Sequence, residues 1–300
     1  MTSKSKASTL KLYPDKWKEK KLVIGIDEAG RGPLLGRVYV AGVVLPSFTQ
    51  ETSEDSNANE NKRTEDTETK FEDTETNTES DKAKKEEEEA NGKKKKRNSK
   101  KKTKGSTTDE DSSATGSRFA YEKMKDSKRF HSRKKLDETA EYIKKHAPFS
   151  KVMWMDEKDI DKYNILSCTL TTMQDIARSI IQEAMDASVI ESLDEVLLLV
   201  DGNSFKPLCM IDKRWGLRAV DYELVTKGDN TYACIAAASI IAKSSRDKYI
   251  DELCDEHPEL DERYKTRSNK GYGSKAHMDG LLEFGTSQWH RLSFGPCKSM

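Results

Sequence analysis

Leu22-Val23-Ile24-Gly25-Ile26 is a short apolar run rich in β-branched residues, and it gives way at once to two acids, Asp27 and Glu28. Its length and flanks predict a buried strand over Lys21–Glu28. Val38–Leu45 reads as a second strand, with Gly32-Pro33 and Gly36 between the two at a hairpin-like spacing. Leu136, Ala140 and Ile143 recur at helical period within Ser132–His146, and Lys151–Met155 reads as a third strand. Leu166, Leu170, Met173, Ile176 and Ile180 mark a long amphipathic helix over Asn164–Ala187. Val196–Asp201 is almost continuously apolar and ends in an acid, the pattern of a strand buried on both faces. Arg218–Val225 predicts a further strand, and Tyr232–Asp251 an alanine-rich helix. Strands alternating with helices predict one α/β domain, with the remaining C-terminal helices packed alongside.

The pattern stops between these elements. Glu51 to Arg118 contains no Val, Ile, Leu, Met, Trp, Tyr or Cys, and Phe71 is its one aromatic residue. Nothing in it can offset the entropy of ordering, so disorder is the expectation. The resulting organisation is an N-terminal tail over residues 1–20, a folded domain over 21–46 and 119–300, and a disordered charged insert over 47–118. Of the 300 residues, 53 are acidic and 53 basic, and 34 acids and 37 bases remain outside Glu51 to Arg118. Affinity for nucleic acid must therefore come from local patches. Arg263 to Met300 holds seven Lys/Arg against two acids, interleaved with aromatics, which fits a nucleic-acid surface and equally a solvated helix. The basic run Lys93 to Lys104 fits a nuclear address, or plain low complexity. Five cysteines without Cys-x-x-Cys spacing fit reduced intracellular thiols. No stretch has the length of a membrane span or the shape of a secretory leader.

The acids change the picture from composition to chemistry. Ending a buried strand in Asp27-Glu28 is costly without a cation or hydrogen bonds to compensate. An isolated Asp-Glu pair also fits a helix cap or a solvated turn. Asp201, followed by Gly202, repeats the arrangement, and acids at strand carboxyl ends can converge. Asp229 follows a strand and precedes the alanine-rich helix, where capping that helix is the plain alternative. Four carboxylates brought together repel one another, and hard divalent cations relieve that repulsion; Mg²⁺ or Mn²⁺ suits a site shared with phosphates. Gly30-Arg31-Gly32 lets a backbone approach a ligand closely.

Taken in order, the motifs resemble bacterial-type ribonuclease HII. They are Gly25-Ile26-Asp27-Glu28-Ala29-Gly30-Arg31-Gly32-Pro33, Asp126-Ser127-Lys128, Val200-Asp201-Gly202-Asn203, Lys227-Gly228-Asp229, Ala236 to Lys243 with Arg246-Asp247, Lys270-Gly271-Tyr272-Gly273, His277, and His290 to Pro296. The second glycine of Gly30-Arg31-Gly32 separates the chain from the sister type, ribonuclease HIII. The resemblance implies a ribonuclease H-like mixed sheet flanked by helices, with a C-terminal helical extension. It implies a metal-dependent endonuclease, in all expectation a monomer, acting on RNA/DNA hybrids and on ribonucleotides embedded in duplex DNA. Asp27, Glu28, Asp201 and Asp229 would hold two Mg²⁺ or Mn²⁺ ions, and the products would be 5′-phosphate and 3′-hydroxyl ends. Gly30, Arg31 and Gly32 would read the ribose 2′-OH and Tyr272 would pack on the sugar at the RNA–DNA junction, although a core tyrosine also fits that position. Asp126, Ser127, Lys128 and Lys243 would contribute to substrate binding. What binds the charged insert stays open, as does the rival of a catalytically silent nucleic-acid-binding module.

Overall fold

The structure, a computed structural model, describes residues 10–11, 13–46, 119–130 and 132–299. The expected disorder of 47–118 and the Lys93–Lys104 address lie outside the described residues.

β1 (Leu22–Ala29) is the middle strand of a five-stranded mixed sheet of order β3-β2-β1-β4-β7. β2 (Val38–Val44) runs antiparallel to β1, with Asp27 opposite Ala41, as the short Gly/Pro connection predicts. β3 (Phe149–Met155) continues antiparallel beyond β2. β4 (Val196–Asp201) lies parallel to β1 on its other side, Ile26 opposite Val200. This register carries the acids Asp27, Glu28 and Asp201 to the same end of the sheet.

One face of the sheet is covered by α3 (Ile165–Asp186), whose Leu170, Met173, Ile176 and Ile180 pack with Leu22, Ile24, Ile26 and Val40. The other is covered by α4 (Ala233–Glu256), buried on all sides along its first half, and by α1 (Arg133–His146) behind it. Small residues let α4 sit close to the strands. Gly25 faces it directly, and a Cβ there would lie 2.3 Å from the carbonyl carbon of Cys234. Side chains alternate along β1, so the face that presents Gly25 to α4 presents Asp27 to it as well. A smaller cluster joins the end of α4 to α5 (Pro258–Tyr264), α7 (Lys275–Phe284) and α8 (Gly295–Lys298), with the short α6 (Thr266–Asn269) between α5 and α7 in the chain.

Two elements differ from the sequence expectation. Arg218–Val225 is not one strand. β6 (Gly216–Ala219) pairs with β5 (Cys209–Asp212) in a separate ribbon, while β7 (Tyr222–Val225) runs parallel to β4. Val220 breaks the run because it is buried and its N–H donates to Leu208 O at 2.8 Å. A short helix, α2 (Glu157–Tyr163), precedes α3; Asp156 caps it, accepting from Asp159 N at 2.9 Å, and Asn164 caps α3 through Ser167 N. Cys168, Cys209, Cys254 and Cys297 are free cysteines. No helix among the described residues is long and apolar enough to cross a membrane.

Candidate active site

A cleft of about 690 Å³ opens at the carboxyl ends of β1 and β4, and Asp27, Glu28, Asp201 and Asp229 all line it. Each acid is held by local chemistry. Asp27, the most deeply placed, accepts from Glu28 N at 2.7 Å, and the nearby Ser239 of α4 favours its ionised form. Glu28 meets Arg31 at 3.2 Å. Asp201 accepts from Gly228 N at 2.6 Å, which draws the loop after β7 against the end of β4. Asp229 follows Lys227, whose φ of 57° turns the chain, and accepts from Asn230 Nδ2 at 3.0 Å. It receives no backbone N–H from α4, whose N-terminal neighbour Tyr232 makes no side-chain cap either.

Burial, then the neighbouring charges of Glu28 and Asp201, push the Asp27 carboxyl well above its ordinary range. Burial raises Glu28 as well, against the opposing pull of Arg31. Asp229 is raised by burial, then by Asp126 and Asp201, with Lys128 acting in the opposite direction. An acid floor that is expensive to ionise unaided is a demand for positive charge. Among the described residues, no three His, Cys, Asp or Glu side chains are gathered closely enough to hold a metal ion by themselves. The donors nonetheless fit a hard divalent cation in kind, since all are carboxylate oxygens in an open, water-accessible cleft. Mg²⁺ in particular takes one or two carboxylates and completes its shell with water and substrate phosphate rather than with an all-protein cage.

Basic and hydrogen-bonding groups form the rim. Lys128, Lys227, Lys243, Arg246 and Lys270 line the cleft with Arg31. Ser239, Lys243, Arg246 and Asp247 make a polar stripe at i, i+4, i+7 and i+8 along the cleft side of α4, and Lys243 pairs with Asp247 at 3.0 Å. Ser127 bonds Ser239 through their hydroxyls at 3.0 Å, tying the Asp126-Ser127-Lys128 turn to α4. Asp126 itself does not line the cleft; its carboxylate caps a single 3₁₀ turn (Ser127–Arg129), accepting from Lys128 N at 2.8 Å.

Gly30-Arg31-Gly32 forms one wall. Gly30 has φ of 94°, and a Cβ there would fall 2.2 Å from Arg246 Nε, so the position admits no side chain. A Cβ on Gly32 would lie 3.5 Å from the Tyr272 ring, which places the tyrosine directly against the loop. Tyr272 is 50% exposed, so the core-tyrosine alternative fails. Ser239, Arg246, Asn269 and Lys270 also reach the cleft and were not singled out as site residues from sequence. The polar stripe within the alanine-rich helix was the available signal for the first two.

The family model of ribonuclease HII matches residues 117–297, which leaves the Asp27-bearing strand outside the match. A ribonuclease HII of Pelagibacter ubique is 35% identical over 177 residues, 59% of this chain and 81% of the relative. A ribonuclease HII of Aliarcobacter butzleri is 28% identical over 276 residues, 91% of each, and so spans both sides of the insert. The crystal structure of ribonuclease H2 from Pyrococcus horikoshii covers 93% of this chain and 96% of its own, with 16% identity and a TM-score of 0.46. The chain therefore belongs to the ribonuclease HII family, and is a metal-dependent ribonuclease H that cleaves RNA in RNA/DNA hybrids endonucleolytically.

Proposed function

We propose that the cleft also cuts at ribonucleotides embedded in duplex DNA, that Asp27, Glu28, Asp201 and Asp229 hold two divalent cations there, Mg²⁺ or Mn²⁺, and that the products carry 5′-phosphate and 3′-hydroxyl ends. The observation that carries this reading is the meeting, in one cleft, of four carboxylates with a glycine loop and an exposed tyrosine. Two such ions, when bound, supply Lewis-acid charge on both sides of a scissile phosphate.

The remaining work falls to the protein. Backbone N–H groups of the Gly30–Gly32 loop donate to the ribose 2′-OH, the group that distinguishes RNA from DNA. Tyr272 offers its exposed face to the neighbouring sugar. Lys128, Lys243 and Lys270 meet backbone phosphates, so binding weakens with salt. Ser239 favours the ionised form of Asp27. Residues 21–46 and 119–300 act as one catalytic domain, because β1 and β4 each bring acids to the same sheet end.

A cleavage assay tests the reading on three duplexes of one sequence: an RNA/DNA hybrid, a DNA duplex with one ribonucleotide, and all DNA. Cutting of the first two with 5′-phosphate products supports it. A folded protein that leaves the single ribonucleotide uncut removes the embedded-ribonucleotide activity from the proposal.

A further inference from the structure

Arg291 is the largest fully buried side chain among the described residues, and its hydrogen bonds go to carbonyls rather than to a carboxylate. All of those carbonyls belong to the loop that follows the Asp27-Glu28 pair. Nη2 donates to Gly30 O at 2.7 Å, Nη1 to Arg31 O at 3.1 Å and to Pro33 O at 2.9 Å, and Nε to Gly36 O at 2.8 Å. The Arg291 backbone N–H takes a fifth, Leu34 O, at 2.8 Å.

This pattern decides which way the loop's other polar groups face. The peptide bonds are trans, so each C=O and the N–H of the next residue point to opposite sides of the chain. Turning Gly30 O and Arg31 O inward onto the guanidinium turns the N–H groups of Arg31 and Gly32 outward, and neither donates to another described residue. Successive outward N–H groups form a concavity for an anion or a hydroxyl oxygen.

The preceding residue holds the other half of the same wall. Ser287 N–H donates to His290 Nδ1 at 2.9 Å, so the His290 proton sits on Nε2. That proton is given to His277 Nε2 at 3.0 Å, and His277 Nδ1–H in turn donates to Tyr272 O at 3.0 Å. Two consecutive buried residues thus fix the glycine loop and the Tyr272 peptide against each other.

We propose that Arg291 is a positioning residue for ribose recognition: its guanidinium aims the Arg31 and Gly32 amides at the 2′-OH, while His290 holds Tyr272 in register with them. The proposal rests on the reading of this loop as the ribose-binding element.

The test uses the full chain with Arg291→Ala, Arg291→Lys and, as a stability control in the same C-terminal cluster, Leu253→Ala. Single-turnover cleavage of the one-ribonucleotide duplex is normalised to folded protein, and affinity for the all-DNA duplex is measured alongside. A wall displaced by about 1 Å should cost the Arg291 variants about a hundredfold in rate. All-DNA affinity, which is set by phosphate contacts, should stay within about twofold. Lysine, with one point charge, cannot span four carbonyls and should behave as alanine does. Ethylguanidinium, but not ethylammonium, should restore Arg291→Ala, and the ¹⁵N–¹H signals of Arg31 and Gly32 should move in both Arg291 variants and return only with that rescue. If folded Arg291→Lys keeps the wild-type rate and unshifted Gly32 signals, or Leu253→Ala loses as much rate at an equal fall in Tm, the proposal is overturned. Wild-type protein that cannot tell the ribonucleotide duplex from all DNA would instead refute the reading of the loop itself.

Discussion

Acid should unfold this protein through His290. The side chain is 1% exposed, and burial together with His277 pushes its pKa down from the ordinary 6.5 to about 4. A histidine lowered in the folded state binds its proton more readily when unfolded, so stability is fully present above about pH 6.5 and drains as pH falls toward 4. The free-energy loss works out at about 2 kcal/mol at pH 5 and about 3 kcal/mol at pH 4. For a domain of this size that corresponds to a fall in Tm of about 6–12 °C at pH 4. The carboxylates of Asp27, Glu28 and Asp229 act with opposite sign, because they are raised and gain from protonation. Wild type is therefore compared with His290→Gln, whose amide can still donate toward His277. Urea midpoints at pH 7.5, 6, 5 and 4 give the difference between the two proteins, in which the carboxylates cancel. The wild-type advantage at pH 7.5 should shrink steadily below pH 6.5. A difference that is flat from pH 7.5 to 4 refutes the reasoning.

Asp27→Asn should abolish cleavage while raising the Tm of the metal-free protein by about 2–4 °C for each kcal/mol of relieved repulsion; because the folded pKa of Asp27 is raised, that gain should vanish toward pH 4, as calorimetry in chelator can check. Gly30→Val should leave no measurable cleavage, since its Cβ falls on Arg246 Nε, and a variant that cuts normally would show that the loop has room to spare. Tyr272→Ala should damage cutting at a single ribonucleotide more than cutting of a continuous hybrid, with Tm nearly unchanged for a ring half in solvent; equal damage with a large loss of Tm would mean packing. Deleting residues 51–116 should leave soluble protein with unchanged cleavage, because closure entropy varies only with the logarithm of loop length; loss of soluble protein would contradict this.

Asp27 and Asp201 were legible because each breaks a strong pattern. A fully apolar strand that ends in a carboxylate is rare enough to be noticed at Asp27 and again at Asp201. The alternation of strands and helices gave the order of elements for the same reason, with α4 standing out through its alanines. The β5–β6 ribbon was not legible, because it inverts the usual rule: Ile211 and Leu217 pair across it and are 78% and 73% exposed. α2 escaped because only Glu157 and Ile160 of its seven residues are buried, too few to show a period. Asp126 belongs to a motif that reads as substrate-facing, yet its carboxylate caps the turn. Arg291 could not be assigned at all, because its role consists of carbonyls some 255 to 261 positions away.

Beside the insert, the Tyr121 hydroxyl donates to Pro46 O, so the two ends of the described chain flanking residues 47–118 are already joined by a bond of their own. The first piece is little more than the β1–β2 hairpin, yet it supplies the centre of the sheet and two of the four acids; the second supplies Asp201 and Asp229. Expressed as separate polypeptides broken within the insert, they have a complementary interface along β2–β3 and β1–β4 on which to assemble, and neither alone carries a complete set of acids. The fold thus contains a natural cut point at which nuclease activity becomes the readout of two chains finding each other.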